Sequence, residues 1–447
     1  MPALRGWLTM GIYQPLLFLG LLVYSPILVW RLLWDHRYRT ALRERMGGAP
    51  RFDSRSGDIV WIHGVSVGEV KAARNFITLL RERRPDLQLV ISSTTPNGHQ
   101  VARQEHPDLP VVFYPVDLGP FPGRALRRIR PRCVLLMELE IWPNFLQGAH
   151  RRGVPVAVIN GRISERTFKG YRLARGLLPQ LDLIATYCVQ DKSYQRRLVD
   201  LGVDPGRVHV TGNMKYDSVV MGEPAEASSP LRRWLAPTDE LVLVAGSTHA
   251  DEELWVLEAA AAASRASGRR LRVVLVPRHP ERSPAVCDQL AAAGTPVARW
   301  SAMQELPPVA DDAVVVVDMI GQLQGFYAVA DVAFVGGSLI PHGGQNMLEP
   351  AALSVATVFG PHTTNFRRDV EELLAGDAAI QVGDRDELAT VLGDLCAAPA
   401  RRAELGENAQ AVIRRNQGAT QRTLELVDVT VMMVAACLGE LPGRIYT

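Results

Sequence analysis

The chain has few cysteines. Cys133, Cys188, Cys287, Cys396 and Cys437 are widely separated, odd in number and form no CxxC pair. That spacing excludes a disulfide framework and a thiolate zinc site, and it reads as reduced core residues of a cytosolic domain. Also missing are GxGxxG after a strand, GxxxxGK[ST] and HExxH. A dinucleotide dehydrogenase, a P-loop NTPase and a zinc metalloprotease each lose their main signature. No long low-complexity tract occurs, and with 47% hydrophobic residues the chain can bury large cores.

What is present is unevenly distributed. The net charge of +2 divides into a basic stretch, residues 31 to 220 with 30 Lys and Arg against 18 Asp and Glu, and an acidic one, residues 221 to 447 with 18 against 29. The basic half suggests an anionic partner such as a membrane surface or a phosphorylated substrate, and no nucleic acid is expected. Before it, residues 7 to 30 contain no charge. As a helix this run is about 36 Å long, enough for a hydrocarbon core of about 30 Å. Trp7, Tyr24, Trp30 and Trp34 stand where interfacial aromatics serve, and Arg31, Arg37, Arg39, Arg43 and Arg45 follow. The positive-inside rule then puts the large part of the chain in the cytoplasm, behind a single-pass anchor at residues 1 to 34. A cleaved signal peptide is the rival reading, but no small-x-small site follows.

From residue 58, short apolar runs alternate with helical patterns: "IVWI", "LQLVISS", "VVFYPV", "CVLLM", "VPVAVIN", "LDLIATYCV", "VHVTG", then "ELVLVAG", "LRVVLVP", "AVVVVD", "DVAFVGG" and "VATVFG". Such runs predict parallel strands in covered sheets. The fold class expected is α/β with two doubly wound Rossmann-like domains, 35 to 225 and 241 to 447, facing a cleft. A linker at 226 to 240 lies in a Pro-, Ser- and charge-rich stretch, and the C-terminal helices pack back on the first domain.

Polar residues gather at predicted strand ends. His63, Ser66 and Glu69 follow the first strand, Glu138 and Glu140 follow "CVLLM", and Lys215 follows "VHVTG". Carboxylates and an amine on one sheet edge suit acid/base work on a polar acceptor. Glu69, in the first turn of its helix, is expected to be ionised by the helix dipole; it reads equally as an ordinary acid completing that helix end. In the second half, "AGSTH", "PRHPER" and "VGGSLIPHGGQNMLEP" are small-residue loops after strands, suited to a phosphate. His249, His279 and His342 read either as ligands or as structural imidazoles in turns.

Nine stretches in order, "HGVSVGE", "ELEIWPN", "NGRISERTFKGY", "VTGNMKYD", "AGSTHADEE", "VPRHPERS", "ADVAFVGGSLIPHGGQNMLEPAA", "FGPHTTNF" and "NQGA", resemble the 3-deoxy-D-manno-octulosonic acid (Kdo) transferases of lipopolysaccharide synthesis. The resemblance implies an inverting GT-B glycosyltransferase moving Kdo from CMP-Kdo to a lipid A precursor at the cytoplasmic face of the inner membrane, with no cofactor and no bound metal. It implies an acceptor-binding first domain and a CMP-sugar-binding second one. It casts Glu69 as the general base, and Glu138 and Lys215 as stabilisers of the transition state. CMP contacts would fall on Pro277 and Arg278, on Ile320, Gly321 and Gln322, and on Asn346, Met347, Leu348 and Glu349. Three positions depart from the family: Gly64 for Ala or Ser, Leu139 for Thr, and "IGQL" for "MGEL", which leaves Gln322 in place of an acid. A nucleotide-sugar epimerase and a non-catalytic envelope protein remain open alternatives.

Overall fold

The computed structural model describes residues 13, 15, 30, 34, 36–52, 58–173, 175, 179–222, 229–302 and 312–429. Among them no helix is long and apolar enough to cross a membrane. The expected anchor at 7 to 30 lies outside them, save for Tyr13, Pro15 and Trp30. The chain divides into two compact units: unit 1 takes residues up to Ser218 together with those from Gln417, and unit 2 is Val219–Asn416.

Unit 1 is a seven-stranded parallel sheet of β1 (Ile59–His63), β2 (Gln88–Ser93), β3 (Val111–Phe113), β4 (Cys133–Met137), β5 (Val156–Gly161), β6 (Thr186–Val189) and β7 (Val208–Val210), in the order β3-β2-β1-β4-β5-β6-β7. Every residue of β1 and β4 is buried, as a sheet covered on both faces requires. Alternation divides the side chains: Ile59 and Trp61 join the core with Phe145 and Leu136, while Val60 and Ile62 join the core with Phe76 and Leu135. Trp61 meets Phe145 edge-on at 5.2 Å, and its indole N–H donates to Ser92 Oγ at 2.7 Å. The last helix among the described residues, Ala419–Val427, belongs to this unit because the Asp217 carboxylate accepts from the backbone N–H groups of Gly418 and Thr420 at 2.7 and 2.6 Å.

Unit 2 is a second seven-stranded parallel sheet: β8 (Leu241–Thr248), β9 (Leu271–Pro277), β10 (Val297–Arg299), β11 (Val314–Val316), β12 (Val332–Val335), β13 (Ala356–Phe359) and β14 (Ile380–Gln381), in the order β10-β11-β9-β8-β12-β13-β14. Strand order reverses between β1 and β4 in one sheet and between β8 and β12 in the other. In open α/β sheets, ligands bind outside the carboxyl ends of strands at such reversals. Each unit therefore presents one preferred binding edge.

Candidate active site

In unit 1 the loops after β1 and β4 carry the acidic residues picked out from the sequence. Ser66 N-caps helix Val67–Arg83, its oxygen accepting from the Glu69 N–H. Glu69 answers: Oε1 accepts from Ser66 Oγ at 2.9 Å and Oε2 from the Val65 N–H at 2.8 Å. This is a near relative of the capping box, so the helix end itself fixes the carboxylate. Gly64 to Gly68 also spells GxSxG, the spacing of a hydrolase nucleophile turn. Ser66, however, has an ordinary extended φ of −113° and spends its hydroxyl on the cap. His63 is not its partner, because that ring is fully buried, stacked on Tyr114 at 3.8 Å and bonded to Ser92, and burial lowers its pKa to about 3.

Glu138 stands at the end of β4 with φ +56°, the left-handed region that non-glycine residues seldom occupy. Its carboxylate pairs with Arg162, which follows β5, at 2.6 Å. Glu140, largely buried, is pushed up to about 7 by burial and then by the charges of Glu69 and Glu138. Glu69 is itself raised, by burial first and by Glu138 second, against the lowering expected from the helix dipole. With only 7% exposure, desolvation outweighs the dipole. Between the two glutamates, Leu139 packs on the core with Trp61 and Phe145. The departure from Thr is thus absorbed by packing.

Lys215 lies on the turn Met214–Asp217 after β7. Buried Asn160, at the end of β5 with φ +53°, accepts from the Met214 N–H at 3.0 Å, and Asn213 accepts from the Lys215 N–H at 3.1 Å. Sequence reasoning left Asn160 and Arg162 without roles. Their signal lies in "NGRISE", where Asn160 ends an apolar strand and Arg162 follows it.

In unit 2, the expectation of a backbone anion cradle meets an obstacle. Glu252, completely buried, accepts from the N–H groups of Gly337 (2.7 Å), Ser338 (3.0 Å), Leu339 (3.1 Å) and His249 (3.0 Å). The protein's own carboxylate already occupies the amides of the "GGSL" loop. Gly336 touches the other loop so closely that a Cβ there would lie 2.5 Å from Ser247 O and 2.6 Å from Thr248 Cα. Gly336→Ala is expected to destabilise unit 2 by about 1–3 kcal/mol, seen as faster hydrogen exchange across 336–345 with unit 1 unchanged.

Around that loop, His249 and His342 lie 4.2 Å apart between ring centroids, with His279 6.0 Å from His249. Arg278 is exposed beside buried Pro277. Ile320 is 86% exposed and Gly321, with φ +85°, turns the chain into helix Leu323–Ala328, at whose start Gln322 stands. Asn346 Nδ2 donates to Glu349 Oε1 at 2.9 Å and Asn346 Oδ1 accepts from the Leu348 N–H at 3.2 Å. Met347 and Leu348 are buried. Among the described residues, no group of three or more His, Cys, Asp or Glu side chains could hold a metal ion.

A family model described as 3-deoxy-D-manno-octulosonic-acid transferase (kdotransferase) matches residues 40–218. The 3-deoxy-D-manno-octulosonic acid transferase of Bordetella pertussis is 33% identical over 423 residues, covering 90% of this chain and 96% of the relative. That of Haemophilus influenzae is also 33% identical, covering 93% and 96%. Among solved structures, Acinetobacter baumannii MurG superposes with a TM-score of 0.53 at 15% identity, covering 83% of this chain and 99% of that one. At that identity the likeness bears on the fold alone, two parallel-sheet α/β domains as in GT-B glycosyltransferases.

Proposed function

The chain belongs to the Kdo transferase family and is a glycosyltransferase; from that premise we propose that it moves Kdo from CMP-Kdo to a hydroxyl of a lipid A precursor with inversion at the anomeric carbon. The observation that carries this reading is the placement of Glu69, Glu138 and Glu140 at the strand-order reversal of a basic unit. A buried carboxylate with a raised pKa, at the edge where ligands sit, is a fit base for a hydroxyl.

In this mechanism, the acceptor oxygen attacks the anomeric carbon as its proton passes to Glu69. The bond from that carbon to the phosphate oxygen breaks and CMP leaves with the electron pair. Arg162, held by Glu138 at 2.6 Å, keeps positive charge beside the base, and Lys215 supplies a second cation on the neighbouring turn. Pro277, Arg278, Ile320 to Gln322 and Asn346 to Glu349 hold the nucleotide, with Arg278 offering a fork to the phosphate. The basic charge of unit 1 suits a phosphorylated lipid at an anionic inner-membrane surface, with the N-terminal stretch as the anchor. No cofactor or metal is part of the proposal, so turnover is expected to survive a chelator; loss restored by Mg²⁺ contradicts it.

A raised carboxyl stays protonated to higher pH, so the ionised base grows with pH and kcat/KM should rise over a range above that of an ordinary carboxylate. Its acid limb belongs to the coupled carboxylates, with Glu140 near 7. Glu140→Gln removes a like charge and should move that limb to lower pH. An unshifted profile removes Glu140 from the site.

A further inference from the structure

In unit 2, the loop that a glycine-rich motif would offer to a phosphate is closed to it. Three consecutive N–H groups, those of Gly337, Ser338 and Leu339, donate to Glu252, whose burial is complete. An anion arriving at this edge needs other donors. What remains at the carboxyl ends of β8, β9 and β12 is basic: His249, His279, His342 and Arg278.

The acids near these rings are mostly committed elsewhere. Glu253, on the helix Glu252–Ser267, binds Arg282 at 2.9 Å and Thr248 at 3.1 Å, and Glu252 is held by backbone. Glu281 lies 3.3 Å from His279 Nδ1, but its side chain is 75% exposed. The groups acting on His249 are therefore His342, His279, Arg282 and Arg278, with the Gln345 amide 3.3 Å from Nε2. Burial first, and then these neighbours, push His249 down to about 4, so the ring is neutral while no anion is present.

We propose that His249, His279 and His342 form the anion subsite of unit 2, and that the cluster takes up a proton when a nucleotide's phosphate seats on it. The inference rests on the reading of unit 2 as the nucleotide site. An anion supplies the opposite charge the cluster lacks and so raises the proton affinity of the rings around it. As placed, the Gln345 amide nitrogen donates to His249 Nε2; a proton there turns the amide so that its oxygen accepts instead. Binding, proton uptake and the position of Gln345 are thereby one event. After transfer the leaving phosphate carries more negative charge than the donor's diester, so the same cluster holds the product more tightly than the substrate.

The test is calorimetric titration of CMP into the full-length, detergent-solubilised protein at about pH 8, where a phosphate monoester with a second pKa of about 6 is already dianionic. Two buffers of different ionisation enthalpy report the protons exchanged. Wild type should take up protons, and its Kd should rise with pH by as much as about tenfold per unit. His249→Gln with His342→Gln should abolish both the uptake and the slope, while cytidine, lacking the phosphate, binds wild type and variant alike without proton exchange. The wild-type measurement stands even if the variant fails to fold. CMP binding without proton uptake, or uptake that survives in the variant, overturns the inference alone. No CMP binding at any pH overturns the nucleotide-site reading and this inference with it.

Discussion

Glu69→Gln is expected to cut turnover by about 10²–10⁴-fold, the usual contribution of a general base, while leaving CMP affinity unchanged. The substitution separates the two things this side chain does. As the reciprocal partner of the Ser66 cap it accepts from Ser66 Oγ and from the Val65 N–H. A glutamine of the same shape keeps its oxygen for Val65 and turns its NH₂ toward the Ser66 hydroxyl, which rotates to accept. The helix end therefore survives at a cost of about 1 kcal/mol or less, near the lower range for lost caps. What glutamine cannot do is take a proton. If Glu69 served the helix alone, the variant would keep most of its rate.

The second large effect is structural. Glu252→Ala leaves the amides of His249, Gly337, Ser338 and Leu339 without their acceptor, inside a region where Glu252 itself has no exposure. A buried unsatisfied donor costs about 1–3 kcal/mol. Even with part of the loop reaching water, unit 2 should lose about 3 kcal/mol or more. Hydrogen exchange should quicken across 336–345 and at the 249–251 turn, CMP binding should be lost, and unit 1 should exchange as before. Unchanged protection would mean that the loop is held by its glycine geometry rather than by the carboxylate.

Much of this arrangement is legible in the sequence, because parallel strands buried on both faces must be continuous apolar runs. The central strands are such runs; Glu138 follows β4 directly and Glu69 lies in the first helical turn after β1, while Lys215 comes on the turn after the edge strand β7. The edge strands β10 and β14 are not: three and two residues long, they carry too little apolar pattern to stand out. Nor does spacing reveal pairings across distant chain. Glu252 looks like any first-turn acid until the loop 85 residues on is seen to donate to it. The same holds for Asp217, whose carboxylate caps the helix at 419, and for Glu138, whose partner Arg162 comes from just past the next strand. At Glu69 the limit is of the same kind. The dipole can be read from a helix start, but the burial that outweighs it depends on what packs above. Leu139 shows the reverse case, a departure from the family pattern that the core accommodates.

Kdo transfer with inversion is tested most directly by product mass and linkage stereochemistry after incubating the purified protein with CMP-Kdo and a bisphosphorylated lipid A precursor. The expected result is CMP release matched by a lipid product heavier by one or more Kdo units, with the anomeric configuration inverted. CMP release without a Kdo-bearing lipid, or a product with retained configuration, would contradict it.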